Sequence, residues 1–333
     1  MELTEIRKSI RQFTVPDTRK SVTQLIVTLG IYLTSILFMI VLLKIEVSLW
    51  LIFAISAITS PVVIKLFIIF HDCCHASYFK SQRACNLVGN MLGVITFTSY
   101  MDWRRTHGIH HNNVANLEKR GMGDVWLMTV EEYQQAHWKE KMLYRMFRHP
   151  LVMIVVSPPF LFLVLNRFPS HGFRRKELLN VLFTNAMITI VVLAFFLTLG
   201  WKASLVILLP MMIGASIIGV WLFYVQHQFR SVYWAHDSEW DRLKAAMEGS
   251  SFYTMPAIMR WFTGNIGYHH IHHLAPRIPN YRLKECYDSV PELQKITPIQ
   301  LISGLHNILL TLWDEDSGKL ISFKEAKQLT LPH

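Results

Sequence analysis

The sequence predicts an all-α integral membrane protein: four transmembrane helices in two hairpins, with a cytosolic helical cap that carries a histidine-rich site. Three observations lead there. Four apolar runs are long enough to cross a bilayer, Lys and Arg are distributed unevenly among the segments that join them, and histidines gather where spans end. Composition agrees, since 52% of the 333 residues are hydrophobic and only 17% are charged, too apolar for an ordinary water-soluble enzyme of this size. The net charge of +10 does not read as a nucleic-acid footprint. The basic residues are spread through loops beside apolar segments, where anionic lipid headgroups fit better.

Taken in order, residues 1–20 are polar and read as a cytosolic N-terminal segment rather than a cleavable signal. The first span is expected over residues 22–43 and the second over 47–70, with a turn so short that the pair forms a hairpin. Pro61 and Lys65 weaken the second span, so its cytosolic end is expected to kink or to extend beyond the lipid. The third and fourth spans, 181–199 and 203–225, form a second hairpin around Gly200–Lys202. Five Lys or Arg lie in Met1–Val22, fourteen in His71–Lys176 and eleven in Gln228–His333, against one in each hairpin turn. By the positive-inside rule both termini and the central loop are cytoplasmic, at the plasma membrane.

Two shorter apolar stretches, 86–100 and 151–165, are expected to be interfacial or re-entrant, with a buried helix of the cap as the alternative. A single crossing by either would place histidine clusters on opposite faces of the membrane. Residues 21–325 then form one domain, and 326–333 a tail. Cys73, Cys74, Cys85 and Cys286 have neither zinc-site nor secretory spacing and read as reduced thiols.

Sixteen histidines are present, and nine of them recur in a pattern. His71 and His75, in HDCCH, stand at i and i+4 and share one helix face. His107, His110 and His111, in THGIHH, stand at i, i+3 and i+4. GNIGYHHIHH repeats that spacing with His269, His272 and His273, leaving His270 off the shared face. His227 ends the fourth span as His71 ends the second, so both hairpins deliver a histidine to the same depth. Imidazole suits iron, zinc, copper or nickel alike. Nine histidines exceed what one zinc ion needs, whereas two ions sharing the set would use them. No H-E-x-x-H occurs, and haem would want facing single histidines within the bilayer.

HDCCH, HGIHH and HHIHH resemble the three histidine boxes of the membrane fatty acid desaturases. More narrowly, FIIFHDCCH, GVWLFYVQH, EGSSFY, TGNIGYHHIHHLAP and LWDEDSGK resemble the bacterial acyl-lipid desaturases of Bacillus type, over about residues 20 to 325. The resemblance implies four spans under a cytosolic cap, and a non-haem di-iron centre held by His71, His75, His107, His110, His111, His227, His269, His272 and His273. It implies O₂-dependent insertion of a cis double bond into an acyl chain of a membrane phospholipid, at Δ5 in preference to Δ10. No G-x-G-x-x-G nucleotide fingerprint or haem-attachment motif is present, so electrons are expected from outside, and the resemblance implies ferredoxin or flavodoxin as the donor.

One departure stands out: where the animal acyl-CoA branch holds a water with Asn, this chain has Phe223, and Asn265, four residues before His269, is a candidate substitute anchor. Asp72, Asp102, Asp124 and Glu248 lie near the boxes in sequence and are candidates to orient the imidazoles. Trp103, Trp261, Phe262 and Tyr268 are candidates to line the acyl tunnel, against the plainer reading of aromatic anchors in lipid. A related di-iron lipid hydroxylase is the alternative enzyme and a histidine-rich metal transporter the alternative non-enzyme. The transporter reading wants ionisable ligands within the spans, which hold little beyond Lys65.

Overall fold

The computed structural model describes residues 3–329. Among the described residues, four helices are long and apolar enough to cross a membrane: Thr18–Lys44, Leu49–Cys74, Arg175–Leu199 and Trp201–His227. They match the expected spans and lengthen them, and the extensions matter. The second runs on past residue 70, so His71 lies in its last turn and His75 caps it. The fourth likewise continues to end on His227. Asp17 caps the first span, accepting from the N–H of Arg19 (2.9 Å) and Lys20 (3.1 Å). Gly200, at φ +78°, reverses the chain between the third and fourth spans in a conformation that strains other residues.

The spans divide into an inner and an outer pair. The most apolar stretch of the second is 61% buried within the protein and that of the fourth 39%, against 11% for the first and 17% for the third. The outer helices therefore present most of their apolar surface to lipid, and the inner ones to each other. Their contact is close: a Cβ on Gly214 would meet Ser60 Oγ at 2.2 Å. Nearby, Ser56 Oγ donates to the carbonyl of Ile207 (2.6 Å) and accepts from the N–H of Met211 (3.1 Å). This serine joins the second span to the backbone ladder of the fourth beside Pro210, whose ring supplies no N–H.

Of the shorter apolar stretches, 86–100 is not one helix. Helix Gln82–Ile95 ends at a reversal through Phe97 (φ +54°), and helix Tyr100–Asn113 begins beyond it. Its 14 residues reach about 21 Å at ~1.5 Å per residue, short of a ~30 Å bilayer core. Stretch 151–165 forms a bent pair with helix Trp138–Phe147, at 62°, the shape of a broken or re-entrant span.

The cap is helical apart from one small sheet that the all-α reading did not contain. In it β1 (Met128–Thr129) runs parallel to β2 (Leu312–Asp314), which pairs antiparallel with β3 (Lys319–Ile321). Buried Arg148 ties this sheet region to the fourth span, donating to the carbonyl of Leu310 (2.6 Å) and to Gln228 Oε1 (3.1 Å). The N-terminal segment joins the core of the second and fourth spans through Ile6, Ile10 and Phe13. Residues 1–2 of that segment and 330–333 of the expected tail lie outside the described residues, while Ala326, also placed in the tail, is buried in helix Phe323–Leu329.

Gly214→Leu should drive the inner spans apart. Overpacking of this kind costs about 1–3 kcal/mol, so thermal unfolding of the detergent-solubilised variant, followed by size-exclusion chromatography, is expected several degrees below the parent. An unchanged midpoint would contradict the close approach.

Candidate metal centre

Four chain segments bring nine imidazoles into one chamber. The second span ends with His71 and His75, helix Tyr100–Asn113 carries His107, His110 and His111, and the fourth span ends with His227. Helix His269–Leu274 supplies His269, His272 and His273. Candidate ligand atoms of His71, His75, His107, His111 and His272 all lie within 4.8 Å of one another, and those of His110, His227 and His273 form a second such group. His269 completes the second group, with its Nε2 2.9 Å from that of His227 and 3.1 Å from that of His273. The two groups touch where the rings of His111 and His273 stack at 4.2 Å.

Which nitrogen faces inward is set by the partner of the other. His71 Nδ1 meets Asp72 Oδ1 (3.2 Å), His110 Nδ1 meets Asp124 Oδ1 (2.8 Å) and His227 Nδ1 meets the carbonyl of Gly249 (3.2 Å). Carboxylates and carbonyls only accept, so each Nδ1 carries the proton and each Nε2 turns a bare lone pair into the chamber. Burial, reinforced by neighbouring positive groups, holds His75, His107, His111, His269, His272 and His273 well below the ordinary imidazole pKa. Burial holds those six rings uncharged, so they cannot relieve their crowding by taking up protons.

Such a set fits metal ions. His75 Nε2 and His110 Nε2 are buried with no hydrogen-bond partner among the described residues, a state buried polar atoms avoid. Nε2 of His111 lies 3.0 Å from that of His107 and 3.0 Å from that of His272. With metal–nitrogen bonds of about 2.1 Å, adjacent corners of a coordination octahedron are about 3 Å apart, so the imidazoles already stand at the spacing of a ligand shell.

His270 faces elsewhere, as its position off the shared face implies. Its Nε2 donates to the carbonyl of Leu293 (3.1 Å), fastening the short helix to the turn Pro291–Lys295, and burial lowers its pKa to about 4.

Among the four carboxylates singled out by sequence, Asp72 and Asp124 reach imidazoles and two do not. Asp102 instead accepts from Arg105 (3.2 Å) and from Ser170 Oγ (2.6 Å), tying its helix to the approach of the third span. Glu248 is exposed, and its neighbour Gly249 supplies the contact to His227 through the backbone. Asn265 does not turn toward the chamber either, since its Nδ2 points to the carbonyl of Asn280 (3.4 Å). Phe223 lays its ring against His110 (5.3 Å) and His227 (4.9 Å), making that wall apolar.

Of the four aromatic candidates, Trp103 alone touches the cluster. It stacks on His107 at 4.1 Å and rests against Phe67 and Phe70 of the second span. Tyr268 stacks on Phe252, while Trp261 and Phe262 pack edge to face beside Lys65. Sequence reading missed a longer chain of support. Asp72 Oδ2 accepts from the backbone N–H (2.7 Å) and side-chain amide (2.9 Å) of Asn280, which in turn exchanges hydrogen bonds with Gln24 of the first span. A glutamine inside an apolar run was the one available signal.

Comparison with known proteins follows this geometry closely. The fatty acid desaturase family profile matches residues 48–298. A fatty acid desaturase of Bacillus subtilis is 40% identical over 325 residues, covering 98% of this chain and 92% of that one. More distant relatives include an sn-1 acyl-lipid omega-3 desaturase (ferredoxin) of Synechocystis, 26% identical over 68% of this chain and 63% of its own length. An sn-1 oleoyl-lipid 12-desaturase of Picosynechococcus is 26% identical over 71% of this chain and 67% of its own. Four spans beneath a chamber of metal-ready imidazoles, in a sequence related along nearly its whole length to a bacterial desaturase, are features of one lineage, and the chain belongs to the fatty acid desaturase family.

Proposed function

We propose that the nine histidines hold two iron ions and that the enzyme inserts a cis Δ5 double bond into acyl chains esterified in membrane phospholipid, drawing electrons from ferredoxin or flavodoxin. The observation that carries this reading is the convergence of deprotonated imidazole nitrogens in two adjoining groups. His71, His75, His107, His111 and His272 would hold one ion, and His110, His227, His269 and His273 the other. Bound iron, with O₂ and two electrons, supplies the oxidant for an unactivated C–H bond, which no side chain provides. One hydrogen leaves each of two adjacent carbons, and with two protons and two electrons the oxygen departs as two waters.

The chain's own residues position and exclude. Asp72, Asp124 and the Gly249 carbonyl fix three rings and their tautomers. Trp103, Phe70 and Phe223 form apolar surface beside the imidazoles, suited to an alkyl chain and hostile to water. The names of the cyanobacterial relatives support lipid-linked substrates and a ferredoxin donor. A basic face would attract a small acidic carrier. The Δ5 assignment rests on the Bacillus-type motifs. Residues 21–325 act as the desaturase domain, and the Lys and Arg distribution supports a cytoplasmic cap at the plasma membrane.

Replacing His107 or His272 with Ala should abolish unsaturation and lower bound iron while the protein still inserts in the membrane, read by lipid gas chromatography and metal analysis. His270→Ala should keep activity within about tenfold, because it leaves one buried carbonyl unpaired at about 1–3 kcal/mol and removes no ligand. Asp124→Asn should cost about 10–100-fold in metal affinity or activity, measured by iron competition with a chelator; an unaltered affinity would contradict the orienting role. Expression in a host making only saturated chains, with mass spectrometry of derivatised double bonds, should show unsaturation at carbon 5. Unsaturation at carbon 10 would overturn the regiochemistry, and a hydroxylated product the reaction.

A further inference from the structure

The first span, the second span and the segment around residues 257–284 enclose a groove of about 800 Å³. Five cations line it, Arg19, Lys20, Lys65, Arg260 and Lys284, against the single carboxylate of Asp17. Asp17 is already spent on the first-span N–H groups. Lys65 is the informative member. It projects from within a span, is only 4% exposed and donates to the carbonyl of Trp261 (2.6 Å), with its ammonium 5.2 Å from that ring. An ammonium has three N–H donors, and among the described residues Lys65 has no carboxylate partner, which leaves donors for an anion.

The walls of the groove are apolar and face outward. Helix Ala257–Phe262 buries none of its residues and lines the groove with Ala257 and with Trp261 (39% exposed), while across the groove Val27 of the first span is 45% exposed. Cations set into an apolar, outward-facing cleft beside the end of a span are complementary to a lipid at the bilayer interface. The back wall leads to the metal chamber: Gln24 lines the groove and bonds Asn280, Asn280 bonds Asp72, and Asp72 bonds His71. Lys65 itself lies six residues before His71 on one helix, about 9 Å at ~1.5 Å per residue.

We propose that this groove seats the phosphate-bearing headgroup of a membrane phospholipid, with Lys65, Arg19 and Arg260 on the phosphodiester and Val27, Ala257 and Trp261 against the glycerol and first acyl carbons. The proposal rests on the reading of phospholipid as substrate and gives that substrate a point of attachment near the imidazoles. A headgroup fixed there sets the ester end of the chain at a constant distance from the chamber, which counting carbons from the carboxyl end requires.

The test uses the full-length, iron-loaded protein in detergent, titrated by native mass spectrometry with dipalmitoyl phosphatidylglycerol, dipalmitoylglycerol and inorganic phosphate. The parent should prefer the phospholipid over the diacylglycerol, and both Lys65→Met and the surface pair Arg19→Gln with Arg260→Gln should weaken phospholipid binding about tenfold, the scale of one lost charge-assisted contact, with iron content unchanged. Phospholipid binding unaffected in the surface pair, or no preference over diacylglycerol in the parent, would overturn the groove assignment. Full displacement by millimolar inorganic phosphate would also overturn it, in favour of free phosphate. Turnover by the parent on phosphatidylglycerol and on a palmitoyl thioester, measured alongside, judges the substrate reading separately. Thioester-only turnover would refute that reading while the binding data still decide the groove.

Discussion

Everything in this protein is organised around imidazole nitrogens forced to face one another in a single chamber. Three of the rings have Nδ1 occupied by an acceptor, so their lone pairs point inward, and burial keeps the outlying rings from protonating. Imidazole nitrogens about 3 Å apart need a proton or a metal ion between them. Neutral imidazole is the form in which histidine binds a metal.

The membrane-embedded half of the molecule makes that arrangement possible. Its two inner spans end on His71 and His227, so any sliding or splaying of these helices would move ligands in both groups. The contact at Gly214 and the hydroxyl of Ser56 fix the pair along their length. Arg148 and the three-stranded sheet hold the cap to the end of the fourth span, and the Asp72, Asn280 and Gln24 chain does the same between the second and first. The outer spans contribute lipid-facing surface and one wall of a cationic groove.

Much of this was legible in the sequence because it depends on local periodicity. Four apolar runs, the i, i+3, i+4 histidines and the exclusion of His270 all follow from helix geometry, and the structure places them accordingly. The partners that orient the rings were only half legible. Asp72 and Asp124 satisfy imidazoles, whereas Asp102 and Glu248, equally near in sequence, turn to Arg105 and to solvent. Choice among nearby carboxylates is made by tertiary packing, which brings Asn280 to Asp72 across 208 residues and lets a backbone carbonyl serve His227. The sheet escaped notice because its strands have two or three residues each and draw on segments far apart in the chain.

A cationic groove on the first and second spans and an apolar surface beside the imidazoles are the two chemical features this design combines. Trp103 supplies apolar surface at the imidazoles, stacked on His107 and resting on the aromatic rings of the second span. Whether two irons occupy the chamber is the question on which the functional account turns. Anomalous X-ray scattering from crystals of the active enzyme, collected at the iron edge, addresses it directly. Two peaks are expected, one among His71, His75, His107, His111 and His272 and one among His110, His227, His269 and His273. A single peak, or signal at the zinc edge alone, would contradict it.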